Sequence, residues 1–204
     1  MLTQAEKGRA FRSLHERERA FIIPNPWDAG TARLLAHLGF EALATTSMGY
    51  AFSAGRPDNT TSREESMTHI TEIAQATDLP VNADLENGFD DSPDAVAETI
   101  VLAATAGAVG GSIEDATGCP DDPIYDKEHA AERIRAAAEA ARALPFFFTL
   151  TGRAEKLLAR KARPERYHRA ARGIPRSRSG RSLRAGPHFQ GRHRRGGKLR
   201  GPAC

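Results

Sequence analysis

Cysteine is nearly absent from this chain: Cys119 and Cys204 are the only two in 204 residues, too few for a disulfide framework. No apolar run approaches the ~20 residues that span a bilayer. The start, M-L-T-Q-A-E-K-G-R-A-F-R, also lacks the apolar stretch of a signal peptide. These absences leave a soluble protein in a reducing, cytoplasmic setting as the expectation, with no membrane partner. The seven histidines are scattered without ligand spacing, which argues against zinc. His15, His37, His69 and His129 read as helix-surface residues.

Acid is missing from one end. Residues 156–204 hold 16 Lys and Arg against a single acid, Glu165, which leaves 13 of the 29 basic and 25 of the 26 acidic residues in 1–155. The net charge of +3 therefore averages an acidic body and a very basic segment.

The body alternates helices with short apolar strands. Thr3 with Glu6 and Ser62 with Glu65 have capping-box spacing. Asp28, Ser92 (followed by Pro93) and Asp126 can open further helices. Five strands are predicted at 20–23, 43–46, 80–84, 109–114 and 146–150. Intervals of ~20–40 residues, each containing one helix, require parallel strands with right-handed crossovers. An open doubly wound sheet and a TIM barrel both fit; no G-x-G-x-x-G follows the first strand, which weakens the dinucleotide-binding version.

Polar residues gather at the predicted strand ends, where a barrel builds its active site. They are Asn25, Trp27 and Asp28; Thr45, Thr46 and Ser47; Asp84, Glu86 and Asn87; Glu114 and Asp115; and Thr151, Arg153 and Glu155. Asp28 has a competing role as a helix cap, and Trp27 as core at the rim. Asp84, Glu86 and Glu114 would meet in one mouth, and like charges that close are costly unless a cation shares them. Hard oxygen donors point to Mg²⁺ or Mn²⁺. Arg153 can take a carboxylate or phosphonate bidentately, and Ser47 a second anionic group.

Five segments carry a resemblance: P-N-P-W-D-A-G-T-A-R-L-L, A-T-T-S-M-G-Y-A-F-S-A-G-R-P-D, D-L-P-V-N-A-D-L-E-N-G-F, V-G-G-S-I-E-D-A-T and T-G-R-A-E. In this order, over nearly all of residues 15–155, they resemble the isocitrate lyase/phosphoenolpyruvate mutase (PEP phosphonomutase) family, in its carboxyvinyl-carboxyphosphonate phosphorylmutase-like branch. The resemblance implies a (β/α)₈ TIM barrel that binds Mg²⁺ and a small 2-oxo-, enol- or hydroxy-carboxylate, and makes or breaks an adjacent C–C or P–C bond. By position it implies Asp84, Glu86 and Glu114 at the metal, with Glu114 also a candidate for proton transfer. Ser47, with Thr46 beside it, Asp58 and Arg153 fall at the substrate. A homo-oligomer is expected of the intact family. Two departures leave the substrate unnamed. The lyase branch's K-R-C-G-H loop reads A-T-G-C-P-D-D-P here, and Cys119 lacks the basic neighbours that lower a thiol pKa. The mutase branch's lysine loop is absent as well.

The expected domains are 1–155, a partial TIM-barrel catalytic domain of about five βα units, and 156–204, a disordered Arg-rich tail. The tail's composition cannot bury enough apolar surface to order itself. Removing one base inside the Lys156 codon permits E-N-F-L-H-G-K-P-D-L-N-D-T-I-A-R-L, an amphipathic pattern resembling the family's next unit, so the tail reads as a frameshift. The chain as it stands is then expected to be unstable or inactive. The rival reading is a non-enzymatic protein whose basic tail binds nucleic acid or anionic surfaces; interleaved aromatics are limited to Tyr167 and Phe189.

Overall fold

In a computed structural model of the chain, residues 2–155 are described. The chain divides into Met1–Arg160 and Lys161–Cys204. The expectations for the basic segment, disorder and frameshift alike, lie outside the described residues.

Capping chemistry sets the helices. Thr3 accepts from the Glu6 amide while Glu6 returns a bond to the Thr3 amide, opening α1 (Gln4–Glu16); Asp28 and Thr31 do the same for α2 (Ala29–His37), and Ser62 with Glu65 for α4 (Arg63–Ala76). Ser92, with Pro93 behind it, opens α5 (Pro93–Thr105), and Asp126 opens α6 (Lys127–Ala143). A helix at 47–53 was not expected: α3 (Ser47–Ser53) starts because Thr46 accepts from the Gly49 amide.

Four strands, β1 (Leu43–Ala44), β2 (Val81–Asp84), β3 (Gly110–Glu114) and β4 (Thr149–Arg153), form one parallel sheet in chain order. The strand predicted at 20–23 does not form. Its neighbourhood joins the sheet only where the Ala44 amide donates to Pro24 O and the Asn25 side chain to Ala44 O. Pro24 and Pro26 have no N–H to give, so no ladder can extend there. The last strand lies later than the predicted 146–150, with Thr149 paired to Gly110.

Ile70, Leu85, Val96, Ile100 and Ile113 fill the main core between sheet and helices. Burying each such side chain stabilises the fold by ~1.5–3 kcal/mol. A second cluster, Phe11 of α1 with Ala42 and Val109, closes the opposite end of the strands from the candidate site. Gly110 is required there, because a Cβ would lie 2.7 Å from the Phe11 ring. Lys7 ties α1 to α4: its buried ammonium donates to Ala74 O and Thr77 O at 3.2 and 2.8 Å, satisfying carbonyls at the helix end.

His69 is a correction to the surface reading. It is 3% exposed, stacks on Tyr50 and bonds Trp27 O through Nε2. The inward face of α4 carries it beside Ile70 and Ile73, and burial lowers its pKa. Trp27, a strand-end candidate whose competing reading was core at the rim, is 47% exposed. Its indole lies over Gly49, where a Cβ would approach within 2.5 Å.

Candidate functional site

The parallel register brings the candidate residues to one edge. Glu114 and Arg153 are Cα partners at the C-terminal ends of β3 and β4, and Asp84 ends β2 beside them. The Arg153 guanidinium lies 3.2 Å from Asp84 Oδ1, 3.4 Å from Glu114 Oε2 and 2.8 Å from Glu155 Oε1. Asp84 Oδ2 accepts from both the amide and the hydroxyl of Ser47 at 3.0 Å, and the Thr45 hydroxyl accepts from the Asp84 amide. Thr46 spends its side-chain oxygen on capping α3. Asp115 accepts from the Glu155 amide and steadies the far end of the cluster.

Glu86 lies just past β2 in a left-handed backbone conformation, φ 49°, and its amide oxygen accepts from the Glu114 amide. Burial, then the charges of Asp84, Asp58 and Glu114, push its carboxyl up to about 7. Asp58 therefore lies close enough for its charge to act on Glu86. Glu114 is also raised to about 7, by burial; the Arg153 charge opposes this and the Asp84 and Glu155 charges add to it. Arg153 is held above its ordinary value: burial works against its charge, but Glu114, Asp84 and Glu155 outweigh that.

Among the described residues, no three carboxylates, imidazoles or thiols are already drawn together as a metal cage. Arg153 stands between Asp84 and Glu114 instead. The donor set nonetheless fits a hard divalent cation. Glu86 Oε1 is buried with no hydrogen-bond partner among the described residues, a costly state for a carboxylate. The neighbouring charges of Asp84 and Glu114 also raise the proton affinity of Glu86, and a cation relieves both strains.

The sequence reading missed what grips the Glu86 loop. Arg133 is 1% exposed and bonds the carbonyls of Asn87, Asp90 and Asp91, and Tyr125 reaches Asp91 and Asn87. The signal available was spacing: His129 and Arg133 lie four residues apart on one face of α6, with Tyr125 just before its cap.

The chain matches the family model for phosphoenolpyruvate phosphomutase over residues 11–180. It is 33% identical over 141 residues to 2-methylisocitrate lyase of Escherichia coli strain K12, covering 65% of this chain and 48% of that protein. A solved structure from Burkholderia cenocepacia J2315, provisionally described as a lyase/mutase, is 65% identical with a TM-score of 0.76 over 78% of this chain and 56% of that one. Phosphonopyruvate hydrolase solved with oxalate and Mg²⁺ is 25% identical, TM-score 0.70, over 75% of this chain and 54% of that one. The chain spans about half the length of the curated relatives it matches. No helix among the described residues is long and apolar enough to cross a membrane. The chain belongs to the phosphoenolpyruvate phosphomutase family, within the wider isocitrate lyase/phosphoenolpyruvate mutase group.

Proposed function

We propose that this is the metal-site half of a Mg²⁺-dependent (β/α)₈-barrel lyase or phosphonomutase-like enzyme, acting on a small 2-oxo-, enol- or hydroxy-carboxylate. The observation that carries the reading is Glu86, a half-buried side chain with one buried, orphaned carboxylate oxygen, beside Asp84 and Glu114 at the C-terminal ends of parallel strands. Relatives named 2-methylisocitrate lyase and phosphonopyruvate hydrolase, the latter solved with oxalate and Mg²⁺, support both the substrate class and the metal.

Asp84, Glu86 and Glu114 are the residues that would hold the cation, directly or through water. The cation would supply Lewis-acid stabilisation of enolate charge beside the scissile bond. Ser47 fixes one oxygen of Asp84 through two hydrogen bonds and so sets the carboxylate plane. Arg153 is 41% exposed. It neutralises Asp84 and Glu114 and can turn its planar fork to a substrate carboxylate. Glu114 would either complete the shell around the cation or move a proton at the substrate carbon next to the carboxylate. Ser47 and Asp58 border the same mouth and would meet the second anionic group, Asp58 through the water or cation that separates like charges.

The test is turnover of 2-methylisocitrate, oxaloacetate and phosphonopyruvate by the full chain with Mg²⁺, alongside oxalate binding. Mg²⁺-dependent turnover or oxalate binding that is lost in Asp84→Ala supports the proposal. Activity that survives Asp84→Ala undiminished contradicts the metal assignment.

A further inference from the structure

The segment from Glu86 to Phe89 takes positive φ at three of four residues: Glu86, Gly88 and Phe89 have φ of 49°, 87° and 64°. Two of them carry side chains, and non-glycine residues adopt this conformation only when their surroundings over-determine it. The surroundings here are specific. Gly88 donates to Leu85 O, Glu114 donates to Glu86 O, the buried Thr99 hydroxyl donates to Gly88 O, and Phe89 donates to the Asn87 side chain. The carbonyls of Asn87, Asp90 and Asp91 are taken by one side chain, Arg133. Its Nε donates to Asp91 O at 3.0 Å, and one terminal nitrogen donates to Asp90 O at 2.7 Å and to Asn87 O.

A guanidinium buried to 1% exposure and spent on main-chain carbonyls is costly. Its neighbours complete the grip. The Tyr125 ring lies 4.0 Å from the Arg133 guanidinium carbon, and the Tyr125 hydroxyl donates to Asp91 Oδ1 and accepts from Asn87 Nδ2 at 3.1 Å. His129, one turn before Arg133, also bonds Asp91 O. This one face of α6 and its entry therefore hold a loop whose outward product is the Glu86 carboxylate.

We infer that Arg133, with Tyr125, is a positioning residue for the cation site: by binding the carbonyls of Asn87, Asp90 and Asp91 it holds Glu86 in its left-handed conformation. The inference rests on the metal reading above. A lysine at 133 keeps the charge but not the fork that reaches three carbonyls. A phenylalanine at 125 keeps the ring and removes only the two hydroxyl bonds.

The experiment titrates Mn²⁺ into the full-length wild type, Tyr125→Phe, Arg133→Lys and Arg133→Met, reading free Mn²⁺ by electron paramagnetic resonance. Hydrogen exchange of the amides in 85–92 is measured on the same metal-free samples. Removing an outer partner of a metal ligand typically weakens binding by 10–100-fold. Arg133→Lys and Arg133→Met are expected near the upper end of that range and Tyr125→Phe near the lower end. Faster exchange should be confined to 85–92, and Tyr125→Phe should melt where the wild type does. Variants that bind Mn²⁺ as tightly as the wild type would overturn the inference. So would losses that track a global drop in melting temperature, with exchange raised throughout the chain. A wild type that binds no Mn²⁺ would overturn the metal reading itself and this role with it, an outcome distinct from the other two.

Discussion

Glu114 and Arg153 face each other across neighbouring parallel strands, with the guanidinium 3.4 Å from the carboxylate and also 3.2 Å from Asp84. The cation of the side chain thus stands where the carboxylates call for positive charge. Arg153→Met should weaken oxalate binding in the presence of Mn²⁺ by about tenfold or more, the worth of a charge-assisted fork. It should leave Mn²⁺ binding itself intact or tighter, since a competing positive charge is gone. Calorimetric titrations of both ligands check this, and equal losses for oxalate and Mn²⁺ would show that Arg153 acts on the metal site as a whole.

Glu86 and Glu114 both take up protons more readily when folded, each raised from 4.5 to about 7. A raised folded pKa gives stability that is present below the unfolded value and is lost as pH rises through the folded one. The metal-free protein should therefore lose stability between pH 5 and pH 8, on the order of 1–3 kcal/mol after allowance for solvent screening. Glu86→Gln should flatten that slope, and so should saturating Mg²⁺. Thermal melts at several pH values decide the matter, and a melting temperature that climbs across this window would contradict the electrostatic account.

Lys7 is a structural counterpart, buried by α1 against the end of α4, with burial lowering its pKa. Lys7→Met keeps the apolar stem and orphans the carbonyls of Ala74 and Thr77. Leaving buried acceptors unpaired costs about 1–3 kcal/mol, which urea denaturation would read as a lower midpoint at unchanged slope.

Local chemistry was legible in the sequence. The caps at Thr3, Asp28, Ser62, Ser92 and Asp126 all open helices where they were placed, because a cap needs only residues three apart. The ends of β2 and β3 were legible too, as apolar runs stopped by carboxylates. What failed depends on partners far along the chain. The run at 20–23 has strand composition, but the prolines at 24 and 26 stop a ladder from extending beside β1. His69 has the look of a surface residue until α4 is rotated onto the sheet. Arg133 reads as a solvated helix charge until the loop at 87–91 folds over it. The gathering of Asp84, Glu86 and Glu114 was expected from their places at strand ends, and the interposed Arg153 came only with the register of β4.

The switch in composition after Glu155 carries its own expectation. Genomic DNA resequenced across codons 150–165 should contain one base fewer near codon 156, with an open frame continuing beyond it. The same bases confirmed in place would make the basic segment a genuine part of this protein and revive nucleic acid or an anionic surface as its partner.

The central claim is that Asp84, Glu86 and Glu114 hold a divalent cation. Its most direct measurement is Mn²⁺ binding to the full chain and to Asp84→Ala, with circular dichroism confirming that both are folded. One saturable site in the wild type, displaced by Mg²⁺ and lost in Asp84→Ala, is the expected result. Binding that is absent from the folded wild type, or that persists unchanged in the variant, would contradict the account.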